Sequence, residues 1–132
     1  MNKEIEILVV EDSLTQAEQV KFILEKKDYK VKIVNDGLQA LEYISKSMPD
    51  LVITDILMPK MDGYELCQKI KEDDKLKHIP VILLTSLSDP IDVIKGLKVK
   101  ADNFITKPYN EHFLVSRIQH MLINIELSKN RI

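Results

Sequence analysis

The chain has 132 residues, of which 45% are hydrophobic and 30% charged, and its formal net charge is −2. A chain of this length folds as one domain and buries roughly two-thirds of its unfolded surface. A nearly neutral charge argues against direct binding of nucleic acid, and the single cysteine excludes an internal disulfide and fits a reducing compartment. Since there is neither a signal peptide nor an apolar run of membrane-spanning length, we expect a cytoplasmic protein without a membrane contact.

Short apolar runs alternate with amphipathic stretches five times along the chain. The runs predict five β-strands, at Ile5–Val10, Lys30–Val34, Leu51–Thr54, Pro80–Thr85 and Asn103–Thr106. Several of these runs are apolar at consecutive positions, which is typical of strands covered on both faces. The alternation of strands and helices therefore predicts an α/β fold, with a doubly wound five-stranded parallel sheet and helices on both faces.

The stretches between the strands carry helix-start signals. Two pairs have the spacing of a capping box, Ser13 with Gln16 and Asp62 with Glu65, while Asp89 reads as an N-cap before a proline. The spacing of apolar residues predicts inward-facing rows in the first, second and fourth helices: Ala17, Val20 and Leu24; Ala40, Leu41 and Ile44; Val93, Ile94 and Leu97.

The final stretch, residues 109–132, is one long helical pattern without a clear stop. Its apolar residues are Leu114, Ile118, Met121, Ile125 and Ile132. Part of this helix must pack on the sheet, and the rest is either a linker or coiled-coil start or a frayed polar end. We expect residues 1–126 to form the domain and residues 127–132 to be a helical extension or linker.

Polar groups stand at the ends of four of the predicted strands. Glu11 and Asp12 follow the first strand, Asp55 follows the third, Thr85 ends the fourth, and Lys107 follows the fifth. In a parallel sheet the carboxyl ends of the strands share one edge, where ligands bind. The sequence thus predicts that these five side chains line one crevice.

The chemistry of this set suggests phosphoryl transfer. Clustered carboxylates repel one another and need a cation, and an all-oxygen site suits magnesium. Phosphoryl transfer requires mainly positioning and charge neutralisation, which a metal, a lysine and a hydroxyl provide. Asp55 is the predicted nucleophile, and it would form an acyl phosphate.

Four segments, ILVVEDS, LVITDILMPKMDGYEL, PVILLTS and ADNFITKP, resemble the response-regulator receiver domain (CheY-like) of two-component signal transduction. The resemblance covers essentially the whole chain, in order. It implies a flavodoxin-like sheet with strand order 2-1-3-4-5 and five helices. It also implies a phospho-accepting switch that takes a phosphoryl group from a histidine kinase or phosphotransfer protein, and a signalling domain that catalyses only its own phosphorylation and dephosphorylation.

The resemblance also implies residue roles. Asp55 matches the phospho-acceptor, and the magnesium ligands would be Asp12 directly, Glu11 through water, Asp55, and the backbone carbonyl of Leu57. Thr85 and Phe104 match a switch pair, in which the hydroxyl moves toward the phosphoryl group and the ring turns inward. Lys107 matches the phosphate-binding lysine, and the bond between Lys107 and Pro108 is expected to be cis.

Two features depart from the family pattern. Lys100 stands where glycine is common, so a left-handed backbone there would cost roughly 1 kcal/mol or more. Leu57 and Leu87 occupy positions that tune access of water to the acceptor, which suggests comparatively slow loss of phosphate.

Other readings remain open. A magnesium-dependent phosphatase or phosphotransferase using an aspartyl phosphate usually carries a second carboxylate two residues after the nucleophile, where this chain has Leu57. A receiver that only binds partners and a flavin-binding protein of the same architecture are further alternatives. The chain is either free-standing or a piece of a hybrid kinase or multidomain regulator. It would act on a downstream target or a fused output module through the fourth helix, fifth strand and fifth helix, and the fourth and fifth helices could form a homodimer.

Overall fold

A computed structural model describes residues 4–129, with side chains described up to residue 124. The elements alternate strictly in chain order, as predicted. The strands are β1 (Glu6–Val10), β2 (Lys30–Val34), β3 (Leu51–Thr54), β4 (Val81–Thr85) and β5 (Asn103–Thr106). The helices are α1 (Leu14–Glu25), α2 (Gly37–Lys46), α3 (Gly63–Glu72), α4 (Pro90–Lys98) and α5 (Glu111–Lys129).

The strands form one parallel sheet in the order β2-β1-β3-β4-β5, which confirms the predicted topology. Predicted and observed strand bounds differ by one residue in two places. β1 begins at Glu6, and β4 begins at Val81 because Pro80 has no N–H to donate to a sheet hydrogen bond.

Alternate residues of the strands bury two separate cores. On one face, residues such as Val9 and Ile53 pack with Leu24 of α1 and Ile118 of α5. The opposite face packs against α2 and α3. Cys67 is fully buried in this second core, and burial raises the pKa of its thiol to about 12. Both faces of the sheet are therefore covered, which explains the consecutive apolar residues in the strands.

Three predicted N-caps are confirmed, Ser13 of α1, Asp62 of α3 and Asp89 of α4, but the capping box of α1 is only half formed. Ser13 Oγ accepts from the backbone N–H of Gln16 at 3.4 Å. The N–H of Ser13, however, donates to Glu11 Oε2, and the Gln16 side chain accepts from Lys107 instead. At α3, Asp62 Oδ1 accepts from the N–H of Glu65 at 2.8 Å, which is one of the two hydrogen bonds of the second predicted capping box.

The predicted inward face of α4 is wrong. Val93, Ile94 and Leu97 are 38%, 45% and 69% exposed, whereas the predicted inward residues of α1 and α2 are buried or half-buried. Among the residues of α4, all of which the structure describes, only Gly96 is buried. A Cβ at Gly96 would lie 3.1 Å from the ring of Phe104, so the helix approaches the sheet through its backbone. The apolar row is therefore rotated away from the sheet.

The C-terminal helix packs as predicted over its described part. Leu114, Ile118 and Met121 are buried, and the Ile125 and Ile132 side chains lie outside the described residues. The helix runs to Lys129, and the expected division near residue 126 stays a prediction. Over residues 4–129, no helix is both long and apolar enough to cross a membrane.

The loop between α4 and β5 contains a left-handed residue. Lys100 has φ 65°, in the region that favours glycine, which agrees with the strain expected from the sequence. Its N–H donates to the carbonyl of Leu97, and the next N–H, of Ala101, donates to that of Gly96. These two bonds end α4 and hold Lys100 in this conformation.

Replacing Lys100 with glycine is expected to raise the free energy of unfolding by about 1 kcal/mol, since glycine adopts positive φ without a Cβ clash. Lys95→Gly, at an exposed site inside α4, is the control and should lower it by about 1 kcal/mol. Urea unfolding followed by circular dichroism measures both. A loss of stability in Lys100→Gly would show that the left-handed backbone there is not strained.

Candidate functional site

The carboxyl edge of the sheet brings together three acids. Glu11 and Asp12 follow β1 and Asp55 follows β3, and a carboxylate oxygen of each lies within 4.8 Å of the others. Two backbone hydrogen bonds fix these positions: the N–H of Glu11 donates to Val34 and that of Asp55 to Val10, both at 3.0 Å. Glu11 is buried, Asp55 is half-buried and Asp12 is exposed, so the cluster opens to solvent on one side.

Lys107 joins this cluster from the end of β5. Its ammonium group donates to Glu11 Oε1 at 2.8 Å and to Asp55 Oδ2 at 3.2 Å, and also to the side-chain oxygen of Gln16. A lysine ammonium has three protons, so all of them have acceptors here. The other oxygen of Asp55, Oδ1, accepts from the backbone N–H of Ile56 at 2.6 Å. The Asp55 carboxylate is therefore held in one orientation from both sides.

Burial and charge act in opposite directions on the buried ion pair. Burial raises the pKa of Glu11, against the hydrogen bonds from Lys107 and Ser13 that lower it. Burial lowers the pKa of Lys107, but its hydrogen bond to Glu11 and the negative charges of Asp55 and Glu11 outweigh this and raise it. Lys107 thus stays cationic among the acids, where it offsets part of their mutual repulsion.

Thr85 and Phe104 lie on the same face of the sheet. Phe104 pairs with Leu83 in the parallel register, two residues before Thr85. Thr85 is fully buried, and its hydroxyl oxygen accepts from the N–H of Leu87 at 3.2 Å. The ring of Phe104 packs beside Gly96, partly buried against the second core. The two residues of the expected switch pair therefore lie diagonally on one face of the neighbouring strands β4 and β5.

The remaining predicted positions lie around the same edge. Leu57 stands in the loop after Asp55 with its side chain 59% exposed, and Leu87 packs partly buried after β4. The slow loss of phosphate expected from these leucines stays a prediction. The Lys107–Pro108 peptide bond is cis, as the resemblance implied.

The sequence analysis missed two residues that shape the site, Gln16 and Gly63. Gln16 was taken only as a helix-capping residue, yet its amide contacts Lys107; its position four residues after Asp12, on the helix that leaves the site, was the available signal. The second is Gly63, the first residue of α3, to which the sequence analysis gave no role at the site. A Cβ there would lie 2.2 Å from the backbone oxygen of Asp55, and its N–H donates to Ile56 at 2.8 Å. The start of α3 therefore packs directly against the loop of residues 55–62, the acceptor loop, which begins with Asp55.

A groove of about 820 Å³ adjoins the acidic cluster between α1 and the loop after β5. Glu11 and Lys107 line it, and Phe22 on its wall is 66% exposed. A ligand or protein side chain can thus reach the cluster along α1.

A sequence profile of the response regulator receiver domain matches residues 7–119. The chain belongs to this family. As a receiver domain it is a phosphoryl-accepting signalling switch of two-component systems. The sheet order and the five helices found here are those of the family fold.

Individual relatives agree. The receiver domain is 44% identical over 118 residues to "Histidine kinase P4" of Formosa agariphila, covering 89% of this chain and 8% of that protein. It is 36% identical over 115 residues to "Response regulator PleD" of Caulobacter vibrioides, covering 87% and 25%. The crystal structure of the signal receiver domain of a signal transduction histidine kinase from Syntrophus aciditrophicus superposes with a TM-score of 0.86, at 50% identity and 90% coverage of both chains. The chain spans a quarter or less of these two curated relatives.

Replacing Gly63 with alanine is expected to lower the free energy of unfolding by about 1–3 kcal/mol, because the new Cβ collides with the backbone of the acceptor loop. Gly37→Ala is the matched control: Gly37 is also the first residue of a helix after an aspartate N-cap, but its Cβ would meet the side chain of Met61, at 2.9 Å. Chemical unfolding of both variants checks this. Equal losses would mean that the contact with Asp55 carries no special cost.

Stability is expected to depend on pH through Glu11. Its pKa in the folded protein is raised above 4.5, so its contribution to stability is full below that pH and is lost as pH rises through the raised value. In the presence of a chelator, wild type should therefore lose stability relative to Glu11→Gln as the pH rises above 4.5. Unfolding across this range, with the exposed Glu18→Gln as control, measures the difference. A difference in unfolding free energy between wild type and Glu11→Gln that does not change with pH would contradict the raised pKa of Glu11.

Proposed function

We propose that this receiver domain accepts a phosphoryl group on Asp55, with Mg²⁺, from a histidine kinase or phosphotransfer protein. The observation that carries the proposal is the Lys107 ammonium group, which bridges Glu11 and Asp55 inside a three-carboxylate cluster open to solvent. The cluster, the cationic contact and the buried hydroxyl of Thr85 supply the groups that phosphoryl transfer needs.

The donor set fits a magnesium ion. Three carboxylates with one lysine leave a net negative charge at the cluster, and hard oxygen donors suit this cation, which keeps part of its water shell. Glu11, Asp12, Asp55 and the backbone carbonyl of Leu57 would hold the ion. When bound, it would neutralise the acceptor carboxylate and the incoming phosphoryl group together.

The transfer itself is a displacement at phosphorus. A carboxylate oxygen of Asp55 attacks the phosphorus of a phosphohistidine, the P–N bond breaks, and its electron pair returns to the imidazole of the donor. The product is an acyl phosphate on Asp55. The N–H of Ile56, 2.6 Å from Oδ1, orients the carboxylate before the attack. Lys107 then exchanges part of its contact with the carboxylates for a phosphoryl oxygen.

Phosphorylation would change the positions of Thr85 and Phe104. The Thr85 oxygen accepts from Leu87, so the hydroxyl proton remains available to donate to a phosphoryl oxygen. Movement of this side chain leaves room on the same face of the sheet, into which the ring of Phe104 turns. The phosphoryl group thereby biases an equilibrium between two arrangements.

Partners on both sides of the switch follow from this reading. The groove along α1 gives a phosphodonor access to the cluster, and the names of the relatives, among them a histidine kinase, support a kinase partner. The exposed apolar residues of α4, with β5 and α5, would present the output surface to a downstream protein, a fused module or a second copy. We place this activity in the cytoplasm, where such kinases phosphorylate their partners.

Asp55→Asn is expected to abolish phosphorylation, because an amide oxygen is too weak a nucleophile to form the acyl phosphate. Intact mass after incubation with acetyl phosphate, with and without magnesium, measures this. Wild type should gain one phosphoryl group only when magnesium is present. Asp74→Asn, at a side chain that is 96% exposed, is the control and should behave as wild type.

A phosphoryl group that forms without magnesium, or that persists in Asp55→Asn, would contradict the proposed site. If wild type gains none although magnesium binding is confirmed separately, the chain does not accept small phosphodonors. Incubation with a phosphorylated histidine phosphotransfer protein then decides whether Asp55 accepts phosphate at all.

A further inference from the structure

Helix α4 is held to the protein by few side chains. Its four large apolar residues, Ile91, Val93, Ile94 and Leu97, are 38–69% exposed. Only Gly96 is buried among its residues, and it has no side chain to anchor the helix. Burial of apolar surface, the main force that positions a helix, therefore contributes little to the position of α4.

Two hydrogen bonds from α3 reach the two ends of α4. The hydroxyl of Tyr64 donates to the backbone carbonyl of Asp92, in the first turn of α4, at 2.9 Å. The thiol of Cys67 donates to the carbonyl of Val99, the C-cap, at 3.4 Å. A thiol is a weak donor, so the hydroxyl of Tyr64 is the stronger of the two ties.

The residue that makes this tie adjoins the acceptor loop. Tyr64 follows Gly63, whose N–H donates to Ile56 and whose Cα packs against the backbone of Asp55 so closely that a Cβ would lie 2.2 Å from its oxygen. A displacement of the acceptor loop must therefore displace the first turn of α3 and, with it, the Tyr64 side chain.

We propose that Tyr64 is a positioning residue that ties the first turn of α4 to the acceptor loop, so that α4 moves with this loop when Asp55 is phosphorylated. This route is separate from the one through Thr85 and Phe104. The part that concerns phosphorylation rests on the proposed function, whereas the tie itself does not. Burial, together with the charges of Asp92 and Asp62, raises the pKa of Tyr64, so the hydroxyl keeps its proton at neutral pH.

Hydrogen exchange of backbone amides tests the tie in the unphosphorylated protein. In Tyr64→Phe, the amides of α4 should exchange about fivefold faster than in wild type, which corresponds to the loss of one ordinary hydrogen bond. Tyr43→Phe is the matched control. Tyr43, on α2, is also half-buried, and its hydroxyl donates to Glu6 of β1 at 2.7 Å. That variant should leave the exchange of α4 unchanged. Unchanged exchange of α4 in Tyr64→Phe, or an equal increase in both variants, would overturn the proposal.

A second measurement compares amide exchange before and after phosphorylation by acetyl phosphate with magnesium. Wild type, Tyr64→Phe and Tyr43→Phe are compared at the same phosphorylated fraction, which intact mass measures. The change in protection of α4 should be smaller in Tyr64→Phe than in wild type and Tyr43→Phe. An equal change in all three proteins would overturn the coupling. If wild type is not phosphorylated, the proposed function fails for this donor, while exchange in the unphosphorylated proteins still decides whether Tyr64 holds α4.

Discussion

The contact of Lys107 with Glu11 and Asp55 is the interaction on which the site depends. It joins the ends of β1, β3 and β5, and it places one positive charge among three carboxylates that would otherwise repel one another. Burying an ion pair is costly unless its polar atoms are satisfied, and here every proton of the lysine has an acceptor. Because all three protons are already donated, Lys107 can form a hydrogen bond to a phosphoryl group only if it gives up one of these contacts. Under the proposed function, Lys107 would thus serve both charge compensation in the unphosphorylated protein and the response to phosphate.

A second constraint is the close packing of the acceptor loop on α3. A Cβ at position 63 would lie 2.2 Å from the backbone oxygen of Asp55, so only glycine fits there without a shift of the backbone, and the start of α3 packs directly on the loop after Asp55. The helices differ in how they are attached to this frame. Helices α1 and α5 bury large side chains such as Leu24 and Ile118, whereas α4 buries Gly96 alone.

The sequence predicted the sheet well because its strands are covered on both faces. Consecutive apolar residues mark such strands directly, and parallel topology then brings Glu11, Asp55 and Lys107 to one edge regardless of loop details. The two errors, the inward face of α4 and the capping box of α1, have a common origin, since contacts between distant parts of the chain override the local sequence pattern. In α4, periodicity reveals an apolar row but not which side of the helix faces the sheet. The side with Gly96 faces it, because the absence of a Cβ allows the helix backbone to approach Phe104. At α1, the charged donor Lys107 takes the side-chain oxygen of Gln16 that a capping box would use.

The weak attachment of α4 has a physical consequence for signalling. A helix anchored by several buried side chains would lose several kcal/mol on moving, since each fully buried apolar side chain contributes roughly 1.5–3 kcal/mol. A helix held mainly by hydrogen bonds, each worth about 1 kcal/mol, has arrangements close enough in free energy for one phosphoryl group to select between them. Under the proposed function, the output surface would therefore include a helix that buries Gly96 alone and exposes its large apolar residues. A more stable α4, with its apolar row turned to the sheet, would hide that surface and resist the signal.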